Sequence, residues 1–274
     1  MTFDSSQRTL LAHVGLVAAL VCAAACGSDH DDAGRRSSPT MTDGHRAEVD
    51  YRRLIFAGAE PRVQPRLAFV AQRQERATLS IHSRFEPAGG EATDELLELD
   101  LAIHYPDATH AELRVVRAAT TAADIPGIES TVGVTMPTTI HAMGLVDAPQ
   151  VHAPAAASPR AVEYVRGALV QAAPVLVPTL PEQSIGDGAR WGADDLHHTL
   201  IAHTDEAVVV ERRGSISYQA SLPDGRRVDV LEEQRYRIEA PLDGLARHME
   251  ATLEVRGSDG TCRSTRLYFD VERR

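Results

Sequence analysis

The alternation of apolar and polar residues is the feature that most restricts how this chain can fold. Within residues 77–85, Leu79, Ile81 and Phe85 are apolar, and the residues that separate them are polar or charged. The same period returns over residues 97–105, where all five odd positions carry Leu, Ile or Tyr. A period of two places successive side chains on opposite faces of a strand. Both segments therefore predict half-buried β-strands.

Further strands are predicted on both sides of a proline-rich middle region. They cover residues 111–118, 196–203, 207–222, 226–242, 245–256 and 262–272. The turn-forming stretches 222–225 (Leu-Pro-Asp-Gly) and 258–260 (Ser-Asp-Gly) tolerate the positive φ angles of tight hairpins. The last strands should therefore form an antiparallel meander.

One helix is predicted near residues 159–173. Ser158 and Pro159 form a typical helix start, and apolar residues follow at helical spacing up to Pro174. The segment 120–159 contains five prolines and is expected to form an edge strand and irregular loop. The predicted fold class is mainly β, a curved antiparallel sheet or half-barrel with the central helix packed on one face. A lid or amphipathic surface element is the alternative role for this helix.

The N-terminus predicts a lipoprotein signal peptide over residues 1–25. The apolar run 10–25 is shorter than the roughly 20 residues that a membrane-spanning helix needs. The sequence Ala-Ala-Ala-Cys at 23–26 resembles a bacterial lipobox, which implies lipidation of Cys26. Cys22 is a poorer candidate because bulky Val21 precedes it. An ordinary secretory signal is the alternative.

Lipidation would place the protein in the cell envelope. The expected location is the outer membrane, facing the periplasm or the cell surface, with the membrane itself as a partner. Residues 26–50 are rich in Gly, Ser, Asp, Thr and Arg and predict a disordered tether before a single domain at 51–274. After cleavage, Cys262 would be the one cysteine without a lipid.

The charge balance argues against a nucleic-acid-binding protein. The chain has 39 acidic and 28 basic residues, a net charge of −11, and every base is arginine. Aromatic residues make up 4% of the chain. Nucleic-acid binding needs a basic surface and commonly uses stacking aromatics. We therefore expect no nucleic-acid partner.

Two short motifs resemble those of an uncharacterised family of bacterial lipoproteins. The first is Gly-Ala-Glu-Pro-Arg at 58–62, followed by Pro-Arg-Leu-Ala-Phe at 65–69. The second is Thr-Leu-Pro-Glu at 179–182, followed at 186–191 by a Gly-x-Gly-x-x-Trp pattern. The similarity covers roughly residues 55–274, with Leu-Ala-Phe at 67–69 where a Leu-Arg-Tyr-like strand is expected. The resemblance implies no activity, because the family is a domain of unknown function.

Few residues qualify as site candidates. Trp191 is expected either to anchor a core edge or to line a ligand groove. His197 and His203 are the metal-ligand candidates, and both are predicted to lie on one strand face with His198 on the other. In an extended strand the two histidines would be about 20 Å apart, which is too far for them to bind one metal ion. The alternatives to a metal site are a solvated strand face and a pH-sensitive contact with a partner. The acidic patch 29–32 is a poor metal cage.

The sequence contains no recognisable catalytic constellation. It has no Gly-x-Ser-x-Gly elbow, and Cys262 has no inferable catalytic partner. Charged pairs such as Glu232-Glu233 and Arg212-Arg213 are expected on solvated strand faces. We therefore expect no catalytic residues and no cofactor.

The expected function is non-enzymatic binding of an apolar ligand, such as a lipid, or of a protein partner. A purely structural scaffold is the alternative, and a hydrolytic enzyme is a further one. Ligand binding predicts a deep apolar concavity, whereas a scaffold predicts a filled core and a flat exposed patch.

Overall fold

The structure is a computed structural model that describes residues 52–145, 150–193, 195–221 and 226–272. Its strands are β1 Leu54–Phe56, β2 Arg73–Glu86, β3 Thr93–Tyr105, β4 His110–Thr120, β5 Thr135–His141, β6 Gly144–Leu145, β7 Arg190–Gly192, β8 Leu196–His203, β9 Ala207–Ser221, β10 Arg227–Pro241, β11 His248–Gly257 and β12 Cys262–Val271. A short 3-10 helix spans Ile128–Thr131, and the α-helix α1 spans Pro159–Leu176. The signal-peptide and tether predictions lie outside the described residues.

All twelve strands belong to one open antiparallel sheet. The strand order is β1-β7-β8-β9-β10-β11-β12-β2-β3-β4-β5-β6, so the chain's last strand pairs with β2. The prediction of a curved, mainly antiparallel sheet with one helix is confirmed. The expected turn at 258–260 is present, with Gly260 at φ 88°. The turn at 222–225 lies outside the described residues.

The main core lies between α1 and one face of the sheet, here called the inner face. In β2 and β3 the odd-numbered residues that the alternation selected are buried, including Leu79, Leu99 and Leu101 at 0–1% exposure, except that Phe85 is half-buried. In β12, Leu267 and Phe269 continue the same inner face, because Phe269 is paired with Leu79. Each large apolar side chain buried in this way stabilises the fold by about 1.5–3 kcal/mol. Period-two patterning therefore sets which face meets the helix.

The helix begins where it was predicted and ends later. Ser158 precedes it and Pro159 is its first residue, although the Ser158 hydroxyl makes no capping hydrogen bond. The helix continues through Pro174 to Leu176, where the chain was expected to leave it. Val175 and Leu176 are both buried, and the Leu176 carbonyl accepts a hydrogen bond from the Ala246 amide at 2.9 Å. Burial and this satisfied carbonyl offset the hydrogen bond that a proline cannot donate.

The described residues include no helix that is long and apolar enough to cross a membrane.

Candidate functional site

The helix crosses the inner face diagonally and leaves one end of it uncovered. Near its start, the Tyr164 hydroxyl lies 3.3 Å from Glu95, at the beginning of β3. Its last residue, Leu176, meets the segment between β10 and β11. The end of the inner face where β9 finishes and β10 begins carries a second apolar cluster, separate from the main core. We call this cluster the open patch; it consists of Tyr218, Ala220, Val228, Val230, Leu253 and Val255.

Strand pairing brings the open patch together from β9, β10 and β11. Tyr218 is paired with Val230, and Ala220 is paired with Val228. The three valines are 4–6% exposed, whereas Tyr218, Ala220 and Leu253 are half-buried. The patch therefore presents partly accessible apolar side chains at the rim of the sheet.

A concavity opens at the same end of the sheet, mainly on the face opposite the open patch. Its volume is about 520 Å³, and it is lined by Tyr218, Val230, Leu231, Ser217, Asp229, Arg256, Gly257 and Ser258. Small-molecule sites have volumes of roughly 300–1,000 Å³. This concavity is open to solvent and bordered by polar groups, so it differs from the deep apolar pocket that ligand binding predicted.

A row of polar side chains separates the open patch from the main core. We call it the polar belt; it consists of Ser83, Glu95, Glu232, Gln234, Arg263 and Thr265. Glu232 is 4% exposed and accepts a hydrogen bond from the Gln234 amide. The Arg263 guanidinium donates to the Ser83 hydroxyl at 3.5 Å, and Ser83 lies 3.4 Å from the Thr265 hydroxyl. The belt places charge on a face that is otherwise apolar.

Burial changes the titration of two groups at the belt. Desolvation lowers the pKa of Arg263, and the nearby Glu95 and Tyr164 oppose this shift. Burial, followed by the charge of Glu95, raises the pKa of Tyr164 to about 12. Tyr164 therefore stays protonated at neutral pH and is able to donate a hydrogen bond to Glu95. Buried charges of this kind persist only when they are paired and hydrogen-bonded.

The sequence reasoning missed the polar belt. Glu232 was expected on a solvated face, but the structure places it on the inner face, and only Glu233 is exposed. The signal was present, because Glu232 shares the even-numbered positions of β10 with Val228, Val230 and Ile238. Arg263 likewise shares the odd positions of β12 with Leu267. In both strands the alternation outweighs the charge of a single residue.

Trp191 lies in the main core, with no exposed surface. Its indole nitrogen donates to the Thr179 carbonyl at 2.9 Å, and its ring is stacked on His198 with centroids 5.4 Å apart. His198 in turn meets the edge of Tyr236, over which the Arg212 guanidinium lies. The structure therefore places Trp191 in the main core, away from the open patch.

His197 and His203 do not share a strand face, and that prediction is wrong. The register between β8 and β9 shifts between Leu200 and Ala202, so residue 201 is an extra residue. A β-bulge of this kind reverses the alternation beyond it. His203 therefore lies on the side of buried Leu200 and contacts Asp187 at 2.8 Å, whereas His197 lies on the outer face. Among the described residues, no group of three or more His, Cys, Asp or Glu could hold a metal.

Cys262 is a free, half-buried thiol on β12. Burial, followed by the charges of Glu254 and Glu86, raises its pKa. A raised pKa leaves less of the nucleophilic thiolate at neutral pH. The environment of Cys262 therefore does not activate it.

The two motifs that carry the family resemblance pack against each other. The Ala59 amide donates to the Asp187 carbonyl, and the Gly186 amide donates to the Ala57 carbonyl, each at 2.9 Å. A Cβ atom on Gly186 would lie 1.8 Å from the Ala59 carbonyl oxygen. Only a glycine allows the two segments to approach this closely. The motifs therefore build a backbone junction beside β7 rather than a chemical site.

Comparisons with known proteins give structural likenesses only. No protein-family model and no curated protein matches the chain. The chain is similar to lipovitellin, with a TM-score of 0.46 and 12% identity, over 75% of this chain and 25% of that chain. It is also similar to DynF from the dynemicin biosynthesis pathway of Micromonospora chersina, with a TM-score of 0.24 and 9% identity, over 86% and 95% of the two chains. The chain thus spans about a quarter of the length of the lipovitellin chain.

Proposed function

We propose that this protein is a non-enzymatic binding protein of the cell envelope that holds one apolar chain of an amphipathic ligand at the open patch. The observation that carries the proposal is the apolar cluster that α1 does not cover. Partly exposed Tyr218 and Leu253 lose water when an apolar chain covers them, which favours binding.

The polar groups around the patch support an amphipathic rather than a purely apolar ligand. The polar belt limits how far an apolar chain can extend toward the main core. A ligand head that stays at the solvent-exposed rim keeps its hydrogen bonds to water and to these side chains. The site therefore suits a molecule with one apolar end and one polar end.

Titration with a fluorescent single-chain fatty acid tests this proposal. We expect Tyr218→Asp to bind about ten-fold more weakly than the unmodified mature protein, because a carboxylate in the patch loses apolar contact area and must be desolvated. Ile201→Asp is the matched control, since Ile201 is 38% exposed on β8 and lies outside the patch. Circular dichroism confirms that both variants are folded. Equal affinity for Tyr218→Asp and the unmodified protein would refute the site.

The membrane anchor is proposed to be the lipid on Cys26. Two or more acyl chains give stable anchoring, because each buried methylene contributes about 0.8 kcal/mol. We expect the Cys26→Ala precursor, expressed in a bacterium, to leave the membrane fraction, whereas the matched variant Cys22→Ala stays membrane-bound. Intact-mass measurement of the protein extracted with detergent checks the lipid directly. A Cys26→Ala protein that still sediments with membranes would contradict the anchor.

A further inference from the structure

The outer face of the sheet carries a line of basic side chains that is interrupted at one strand. We call it the basic row; it consists of His197 on β8, Arg213 on β9, Arg235 on β10, Arg266 on β12 and His82 on β2. Consecutive strand pairs align these residues, with Thr252 of β11 between Arg235 and Arg266. At about 4.8 Å per strand, the row crosses roughly 24 Å of the sheet.

The pairing within the row is unfavourable for the isolated protein. Arg213 lies directly opposite Arg235, and Arg266 lies directly opposite His82. Directly opposed side chains have Cβ atoms only about 5 Å apart, so the two positive charges of Arg213 and Arg235 repel each other. An anion placed between the opposed side chains would turn this repulsion into attraction.

Several acidic residues near the row are engaged with other arginines. Glu254 and Glu233 contact Arg256, and Asp94 contacts Arg84. Glu211 is shared between Arg213 of the row and Arg237 outside it. Within the described ranges, exposed Arg235 and Arg266 form no ion pair closer than 4 Å and no side-chain hydrogen bond. Their guanidinium donors are available to an external anion.

From this row we infer a binding surface for a linear acidic polysaccharide, a flexible sugar chain that carries carboxylate or sulfate groups. The row runs across the strands and therefore follows the curvature of the sheet, which a flexible chain is able to track and a flat membrane is not. Every strand of the row is already paired on both sides, so an acidic peptide cannot add itself as a further strand. The hydroxyls of Thr252 and Ser264 beside the row are able to hydrogen-bond sugar hydroxyls.

Heparin, a sulfated polysaccharide, is the probe for this surface. We expect the mature protein to bind heparin with an affinity that falls as salt rises, because binding releases condensed counterions. The double variant Arg235→Gln/Arg266→Gln should bind about ten-fold more weakly at low salt, and the slope of log K against log salt should fall by about two. Fatty-acid binding at the open patch should not change in this variant.

The matched control is Arg237→Gln/Arg256→Gln. It removes the same net charge from the same face, but these two arginines already contact Glu211 and Glu254. We expect its heparin affinity to stay within about two-fold of that of the unmodified protein. If both double variants lost heparin affinity equally, binding would depend only on the general charge of the protein. That result would contradict a specific role for the basic row. Stronger binding to polyglutamate than to heparin would identify an acidic protein as the ligand and contradict the proposal. Stronger binding to phosphatidylglycerol vesicles would contradict it in favour of a membrane.

Discussion

Replacing Gly186 with alanine is expected to lower the free energy of unfolding by about 3 kcal/mol or more. The added methyl group would lie 1.8 Å from the Ala59 carbonyl oxygen and 3.0 Å from the Pro61 carbonyl oxygen. Both obstacles are backbone atoms, so they cannot rotate away as a flexible side chain does. Relief requires that the two motif segments separate, which breaks the hydrogen bond between the Gly186 amide and Ala57.

Gly188→Ala is the control for this prediction. Gly188 has φ +78°, but no atom lies within 4 Å of the position that its Cβ would take. The variant Gly188→Ala should therefore lose only about 1 kcal/mol of unfolding free energy, because alanine is less stable than glycine in a left-handed backbone conformation. Urea denaturation followed by circular dichroism compares the midpoints and slopes of the two variants. Similar losses for Gly186→Ala and Gly188→Ala would show that close packing of the motifs is unimportant.

The contrast between Gly186 and Gly188 shows how much the Gly-x-Gly-x-x-Trp motif predicts about the structure. The Gly-x-Gly-x-x-Trp pattern included Gly186, which lies at the contact between the two motifs, and strand β8, which follows it, was predicted at 196–203. The contact between Gly186 and Ala59 could not be predicted, because the two segments are far apart in the chain and no local pattern reports their meeting. The motif therefore identified the right residues, while their physical role required the tertiary structure.

The pairing register between strands determines most of the side-chain positions that could not be predicted from the sequence. The alternation in β2 and β3 predicted which side chains face inward. The same pattern in β10 places Glu232 on the inner face, although a solvated face was expected for it. A single extra residue at 201 reversed the expected face of His203, because a bulge changes the phase of every residue after it. Arg213, Arg235 and Arg266 align only through the pairing of four strands, so the basic row was invisible in an overall charge of −11.

The open patch depends on the path of α1 as well as on register. Its apolar residues were recognised as strand residues, but residues of the main core have the same pattern. What distinguishes Val230 from Ile238 on the same strand is that only Ile238 belongs to the main core. The direction in which a helix crosses a sheet is set by side-chain packing over the whole contact. A site defined by where the helix is absent therefore could not be predicted from any segment alone.

His198 is expected to make the folded state less stable as the pH falls below about 6.5. Burial, followed by the charges of Arg212 and His197, holds the pKa of His198 well below its usual value, and a hydrogen bond to the Trp191 backbone opposes this only in part. The unfolded chain binds a proton at this position near pH 6.5, whereas the folded chain does not. Below that pH the free energy of unfolding should therefore fall by about 1.4 kcal/mol per pH unit, until the folded-state pKa is reached.

The variant His198→Phe tests this by removing the titrating group and keeping an aromatic ring against Trp191. We expect the free energy of unfolding of this variant to fall less steeply than that of the unmodified protein between pH 7.5 and pH 5. Burial, followed by the charge of Arg52, also lowers the pKa of His141. His141→Gln should therefore remove a separate, smaller part of the slope, because this histidine is less buried and lies on β5. Urea titrations at pH 5.0, 6.0 and 7.5 measure both effects. Parallel stability profiles for wild type and His198→Phe would mean that His198 binds its proton equally well in the folded and unfolded chains, which its burial beside Arg212 argues against.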